Sequence, residues 1–172
     1  MFDLTGKNAI ITGSSKGIGK SIAMAMAKQG ANVVISSRKV DVCEATAEEI
    51  NSLEDEGAGK AIVIPCNISD KTALEMLVEE TRSQLGQIDI LVCNAATNPY
   101  FGSIKDITDD AFEKIMNNNI KSNHNLCQMV VPEMMERKDG SIIIVSSIGG
   151  LNASPVIGAY NIPKAADIML VK

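Results

Sequence analysis

Ala9-Ile10-Ile11-Thr12-Gly13-Ser14-Ser15-Lys16-Gly17-Ile18-Gly19 decides how this 172-residue chain folds. Its first four residues are nearly all apolar and read as a short strand. Three glycines follow, and from Ile18 to Lys28 the apolar residues return at helical spacing. A strand, a tight turn and a helix are therefore packed into about twenty residues. At such a junction the first N–H groups of the helix have no backbone partner, and the positive end of its dipole faces the loop. An anion is the natural occupant. Each glycine has a use there: Gly13 allows the turn, Gly17 lets the backbone approach a pyrophosphate, and Gly19 lets helix and strand pack closely. With Ser15, Lys16 and Ile18 they make the expected phosphate-binding set.

The same alternation recurs outward from this loop. Val33-Val34-Ile35, Ala61-Ile62-Val63-Ile64, Ile88 to Cys93 and Ile142-Ile143-Ile144-Val145 read as four further strands. Val42 to Leu53 and Thr72 to Leu85 read as helices, the second capped by Ser69 or Asp70. Thr108 caps a long helix running to about Arg137, and Asp139-Gly140 turns into the fifth strand. Nearly all-apolar central strands imply burial on both faces. The strict alternation predicts an α/β fold, a parallel sheet wrapped on both sides by helices. With no repeat, linker or low-complexity segment, residues 1–172 are expected to form a single dinucleotide-binding domain.

Composition narrows the function. Hydrophobic residues make up 45% and the formal charge is −5, which excludes a nucleic-acid partner. No apolar run approaches the ~20 residues of a membrane helix. Asp3 and Gly6 occupy the place of a signal peptide's apolar core, so a cytoplasmic protein is expected. Cys43, Cys66, Cys93 and Cys127 are scattered without a CxxC pair and read as reduced, small apolar residues. His124 is the single histidine, placed on a helix surface or in a core contact, so no metal site is expected.

Folds that bind NAD usually place an acidic residue on the ribose about 20 residues after the glycine loop. Here Ser36-Ser37-Arg38-Lys39 stands in that place. No carboxylate repels a 2′-phosphate, and the planar guanidinium of Arg38 can clamp one, with Ser37 and Lys39 beside it and Lys16 nearby. NADP(H) is therefore expected over NAD(H). Further on, Tyr160 and Lys164 stand four residues apart after the fifth strand, on one face of a helix. An ammonium beside a phenol favours the phenolate, so the Tyr160 pKa is expected below its ordinary value near 10. That would make it a proton donor and acceptor.

Taken together these residues resemble the short-chain dehydrogenase/reductase family along the whole chain. Thr12 to Gly19 is similar to its TGxxxGxG loop, and Asn94-Ala95-Ala96 to its NAG motif, with Ala96 in place of glycine. Asn119, Ser147 and the Tyr160–Lys164 pair are similar to its catalytic Asn, Ser and YxxxK. Within the family, Cys93 to Pro99 and Ser36 to Lys39 look most like the NADP-dependent carbonyl reductases of the dehydrogenase/reductase member 4 type. The resemblance implies a Rossmann-type doubly wound sheet in the order 3-2-1-4-5, with strands 6 and 7 of the family fold absent from this chain. It implies an oxidoreductase transferring hydride between nicotinamide and a small-molecule carbonyl or secondary alcohol. Tyr160 would exchange the proton, Ser147 hydrogen-bond the carbonyl oxygen, Lys164 bind the nicotinamide ribose, and Asn119 hold a water in a relay to Lys164. Asn67 stands where the family usually has an adenine-binding Asp, and Ile68 offers a backbone N–H; Asn94, Ala95 and Ala96 complete the cofactor set.

Two alternatives remain: reduction of 3-oxoacyl thioesters on acyl carrier protein, and a non-catalytic, truncated nucleotide-binding relative. Asn117 and Asn118, poor helix formers, predict a distortion in the long helix. Pro163 places the start of the next helix near Ala159. Tyr100, Phe101, Leu151 and Val156 point to an apolar substrate pocket. By the resemblance, Met116, Ile120, Met129, Met134, Met135, Ile168, Met169 and Val171 would supply apolar surface to a homodimer or homotetramer. The chain stops inside a helical pattern at Val171-Lys172, so a piece of a longer functional chain is expected, whose end could carry a peroxisomal signal.

Overall fold

The computed structural model of the chain describes residues 2–55 and 57–172. Five parallel strands, β1 (Asn8–Thr12), β2 (Asn32–Ser36), β3 (Ala61–Val63), β4 (Ile90–Cys93) and β5 (Ser141–Ile144), line up in the order β3-β2-β1-β4-β5. Six α-helices alternate with them: α1 (Gly17–Lys28), α2 (Val40–Asn51), α3 (Lys71–Leu85), α4 (Asp109–Met116), α5 (Ser122–Arg137) and α6 (Gly158–Leu170). β1 lies at the centre, with Ile10 opposite Val34 of β2 and Leu91 of β4.

Successive strand residues point to opposite faces, and the core divides accordingly. Ala9, Ile11, Val33, Ile35 and Val92 pack with Ala23 and Ala27 of α1 and Cys43, Ala47 and Ile50 of α2. Ile10, Val34 and Leu91 pack on the other side with Leu74, Leu77 and Val78 of α3 and Leu126 and Val130 of α5. This two-sided burial explains why the strands read as unbroken apolar runs. β5 is different: Ser141 and Ile143 are exposed, and β4 is its one partner among the described residues.

Local chemistry sets the helix ends. Asp70 caps α3 by accepting from Thr72 N–H at 2.9 Å, and Thr108 caps α4 by accepting from Ala111 N–H at 3.3 Å. α2 starts and stops two residues earlier than its pattern predicts. The Asn51 side chain turns back to bond the Ala61 backbone through both its amide atoms, at 2.8 and 3.0 Å, and Ser52 begins the turn. The expected distortion of the long helix is present as a π turn over Asn117–Lys121, which joins α4 to α5. α6 begins at Gly158, so Pro163 lies in its second turn rather than its first.

Candidate active site

The loops after β1 and β4 are sewn together at the point where the sheet's winding reverses, the place where open α/β sheets bind ligands. Thr12 Oγ1 accepts from the N–H groups of Asn94 at 3.0 Å and Ala95 at 3.1 Å. The Asn94 amide donates to Thr12 O at 2.9 Å and Gly13 O at 3.2 Å. Asn94 thus shapes the loop with its side chain. Ser14, fully buried, fastens the loop to the neighbouring strand, donating to Ile11 O at 2.7 Å and accepting from Ser36 N–H at 2.8 Å. Ser15 contributes its carbonyl to the Thr46 hydroxyl at 3.0 Å.

Two glycines show how tight the cradle is on one side and how open on the other. A Cβ on Gly19 would lie 2.4 Å from Gly13 O, closer than atoms can approach. A Cβ on Gly17 would meet nothing within 4 Å, although its φ of +57° favours glycine. No side chain caps α1, and Lys16 and Ile18 are exposed at its mouth. An uncapped helix start, an open glycine and a flanking lysine fit a dinucleotide phosphate.

Toward the ribose end, Ser36 is buried and Ser37 sits against Cys43 Sγ at 3.1 Å. Arg38 and Lys39 are exposed, with no ion pair among the described residues. Asn67 spends its amide oxygen on Ser69, accepting from its N–H at 3.4 Å and its hydroxyl at 2.9 Å, in a turn that leads to the Asp70 cap. Ile68 packs partly buried against the α3–α5 side of the core, and Ala96 is exposed beside Asn94.

The other half of the site is built on β5 and α6. Gly149 and Gly150 allow the short turn after β5 (Ile148–Gly150) to press against α6. A Cβ on Gly149 would come within 2.3 Å of Asn161 Oδ1, and one on Gly150 within 2.6 Å of Lys164 O. Ser147 opens that turn, its hydroxyl accepting from Gly149 N–H at 3.0 Å; its own proton remains to donate. Ser146 donates to Lys164 O at 2.8 Å. Tyr160 is half-buried on the first turn of α6, and the Lys164 Nζ lies 5.9 Å from its ring centroid.

Lys164 is not the free ammonium expected beside Tyr160. It is buried, donates to Val145 O at 2.7 Å and pairs with Asp167 Oδ2 at 3.0 Å. Burial, and after it the Asp167 carboxylate, hold the Tyr160 phenol above its ordinary value. The expected lowering is therefore reversed, first because the phenol is partly buried and second because the Asp167 carboxylate beside the lysine opposes its charge. Asp167 Oδ1 accepts from Asn123 Nδ2 at 2.9 Å, and the same amide donates to Asn119 O at 2.9 Å. Asn119 holds the loop after β4 by two hydrogen bonds to the Thr97 backbone, its Oδ1 accepting from the N–H and its Nδ2 donating to the carbonyl, each at 2.8 Å. Asn119 is thus joined to Lys164 through its backbone carbonyl, the Asn123 amide and the Asp167 carboxylate. Cys93 and Cys127 lie beside this network. The Cys127 thiol and burial push Cys93 well up, and the hydrogen bond from Cys93 draws Cys127 down.

The residues expected to line an apolar pocket border an open side. Phe101 and Leu151 are exposed, and Gly102 N–H bonds Val156 O at 2.8 Å, drawing the two loops together. A cleft of about 580 Å³ lies along α6, lined by Ile104, Leu151, Pro155, Asn161 and Ile162. His124 is exposed on α5, and no metal-ligating cluster occurs among the described residues. Among those residues no helix is long and apolar enough to cross a membrane.

A strand-turn-helix cradle beside a Tyr and Lys on one helix face defines a nucleotide-binding α/β protein. The chain belongs to the short-chain dehydrogenase family, whose profile, described as "short chain dehydrogenase", matches residues 7–172. It is 40% identical over 169 residues to "Dehydrogenase/reductase SDR family member 4" of Sus scrofa, covering 98% of this chain and 59% of that one. It superposes with a TM-score of 0.91 and 34% identity on a 7 alpha-hydroxysteroid dehydrogenase complexed with NADH and 7-oxo glycochenodeoxycholic acid, over 98% of this chain and 64% of that one. A metagenomic short-chain oxidoreductase in complex with NADP matches with a TM-score of 0.90 and 29% identity, over 97% and 74%. The chain therefore spans about three-fifths of the length of the curated relatives it matches.

Proposed function

We propose that the protein is an NADP(H)-dependent oxidoreductase acting on a small-molecule carbonyl or secondary alcohol. The observation that carries the reading is the pair on α6: Tyr160 four residues ahead of a buried Lys164, at the carboxyl end of the sheet that also holds the glycine cradle. A bound nicotinamide nucleotide supplies or accepts the hydride equivalent. The chain's own residues do the rest. Gly13, Ser15, Lys16, Gly17, Ile18 and Gly19 hold the phosphates, with Asn94, Ala95 and Ala96 alongside. Ser37, Arg38 and Lys39 would take the 2′-phosphate; the exposure of Arg38 and Lys39 and the lack of an acid there support NADP(H). Relatives with NADH and with NADP both occur, so the preference rests on those residues. Asn67 and, through its backbone N–H, Ile68 would hold the adenine.

Lys164 has three N–H donors and uses two inside the chain. The third serves the nicotinamide ribose. Tyr160 gives its proton to the carbonyl oxygen, Ser147 donates a hydrogen bond to the same oxygen, and Asn119 fixes the loop beneath them. Exposed Met135, Met169 and Val171 on α5 and at the end of α6 support a homodimer or homotetramer, whereas Met134 is buried and Met129 packs inward. Four free cysteines suit a reducing compartment, the cytoplasm. The test is NADPH and NADH consumption by the full-length protein across a panel of ketones and aldehydes, with both dissociation constants measured. Turnover with NADPH and tighter NADPH binding are expected; no turnover with either nucleotide would refute the reading.

A further inference from the structure

We propose that Asp167 is a positioning residue of this site: its buried carboxylate holds the Lys164 ammonium to itself and biases Tyr160 toward giving a proton to a carbonyl rather than taking one from an alcohol. The proposal rests on the reading of Tyr160 as the proton carrier. Its basis is geometric. The Lys164 and Asp167 side chains are 3% and 0% exposed and 3.0 Å apart, and the ammonium lies 5.9 Å from the Tyr160 ring centroid. At 3.0 Å from the ammonium, the carboxylate's opposite charge offsets the lysine's field at the phenol. The carboxylate cannot swing away. Asn123 holds its second oxygen, and Asn123 is itself tied to Asn119 O in the π turn.

The neighbouring charges leave Asp167 in control. Between Ser141 and Pro163 the sequence has no charged residue. On the elements packed against α6, Asp109, Asp110, Glu113 and Lys114 of α4 and Lys121 of the π turn are all exposed and screened by solvent. Cys93 of β4 and Cys127 of α5 are the other titratable groups of the network, and the Cys93 thiol is held protonated. Burial and Asp167 both raise the phenol, which agrees with the geometry. In reduction the Tyr160 O–H bond breaks and its proton passes to the carbonyl oxygen, which becomes the alcohol hydroxyl. The hydride equivalent comes from the reduced nicotinamide nucleotide, and solvent returns the proton to the phenolate. Oxidation needs the phenolate first, and Asp167 makes it scarce at neutral pH.

The experiment uses the full-length protein with Asp167→Asn and Tyr160→Phe, measuring pH profiles of carbonyl reduction and alcohol oxidation together with NADPH affinity. Asp167→Asn is expected to move the oxidation profile to lower pH. At neutral pH it should raise kcat for alcohol oxidation roughly tenfold, a coupling of the usual size between groups in one buried network. NADPH binding should tighten as Lys164 is released to the ribose. An unmoved profile, with turnover and affinity falling together, would mark Asp167 as merely structural and overturn the proposal. If Asp167→Asn does not fold, Asp167→Glu, which keeps the charge but moves it relative to Lys164, is compared with the unmodified protein by tyrosinate absorbance, each less its Tyr160→Phe counterpart. A moved Tyr160 ionisation supports the proposal, because burial alone would leave it in place, and an unmoved one overturns it. Tyr160→Phe separates the two claims. Wild-type turnover in that variant defeats the proposed function, whereas lost turnover with an unmoved Asp167→Asn profile defeats this inference alone.

Discussion

The glycine cradle and the α6 end of the site are built by opposite means. The cradle is made of backbone. Glycines give it its surface, with the Asn94 and Ser14 side chains tying it to the sheet; its tightest clearance is Gly19 against Gly13 O, and a Cβ at Gly17 would meet nothing within 4 Å. The α6 end is made of side chains. Lys164, Asp167, Asn123 and Asn119 are all buried and joined by hydrogen bonds of 2.9 to 3.0 Å. A cradle of free N–H groups can receive a variable anion, because nothing has to be broken first. A buried network fixes one lysine in one place, and every member depends on its neighbours. On the proposed function the first arrangement serves binding, and the second serves chemistry at a single atom.

The contrast can be broken most severely at Lys164. Lys164→Met strands the Asp167 carboxylate in the interior, and removing one member of a buried pair costs about 3–5 kcal/mol. Denaturant unfolding of the full-length variant should show a loss of that size; a loss below ~1 kcal/mol would mean the pair is far better solvated than its burial implies. In the cradle, Gly19→Val forces a side chain into Gly13 O and should cost about 3 kcal/mol, the upper end of overpacking. Gly17→Ala meets no atom and bears only its left-handed backbone, about 1 kcal/mol. Equal losses at the two glycines, measured by the same unfolding experiment, would contradict the division into a tight and an open side. The mildest intervention is Arg38→Ala, which leaves the fold alone. NADPH affinity should fall by roughly tenfold or more, the worth of one clamped phosphate contact, with NADH affinity unchanged. Parallel losses for both nucleotides would remove Arg38 from the phosphate.

The cradle was legible in the sequence because a glycine's identity already states its geometry. The same holds for the sheet, whose apolar runs encode two-sided burial, and for the π turn, announced by Asn117 and Asn118. Boundaries were less legible. β5 spans Ser141–Ile144 rather than Ile142–Val145, because it pairs only as far as Cys93 opposite Ile144, although Val145 N–H still bonds Cys93 O at 2.9 Å. The partner of Lys164 was not read at all. Tyr160 and Asp167 stand four residues before it and three after it on one helix face, so helical spacing held the clue. What spacing could not show is which neighbour the ammonium takes. That choice depends on Asn123, 44 residues before Asp167, and on the Val145 carbonyl at the end of the fifth strand. Such contacts exist only once the sheet has brought α5 and α6 together.

The central claim is that Tyr160 carries the proton while the cradle and Lys164 carry the nucleotide. Tyr160→Phe in the full-length protein tests it most directly, with turnover and NADPH affinity measured on one preparation. Turnover should fall about 10²- to 10⁴-fold, the usual contribution of a positioned acid or base. The NADPH dissociation constant should stay within about twofold of wild type, because the cradle and the buried Lys164–Asp167 pair are untouched. Turnover at the wild-type level would contradict the account, as would a loss of nucleotide binding that matches the loss of turnover.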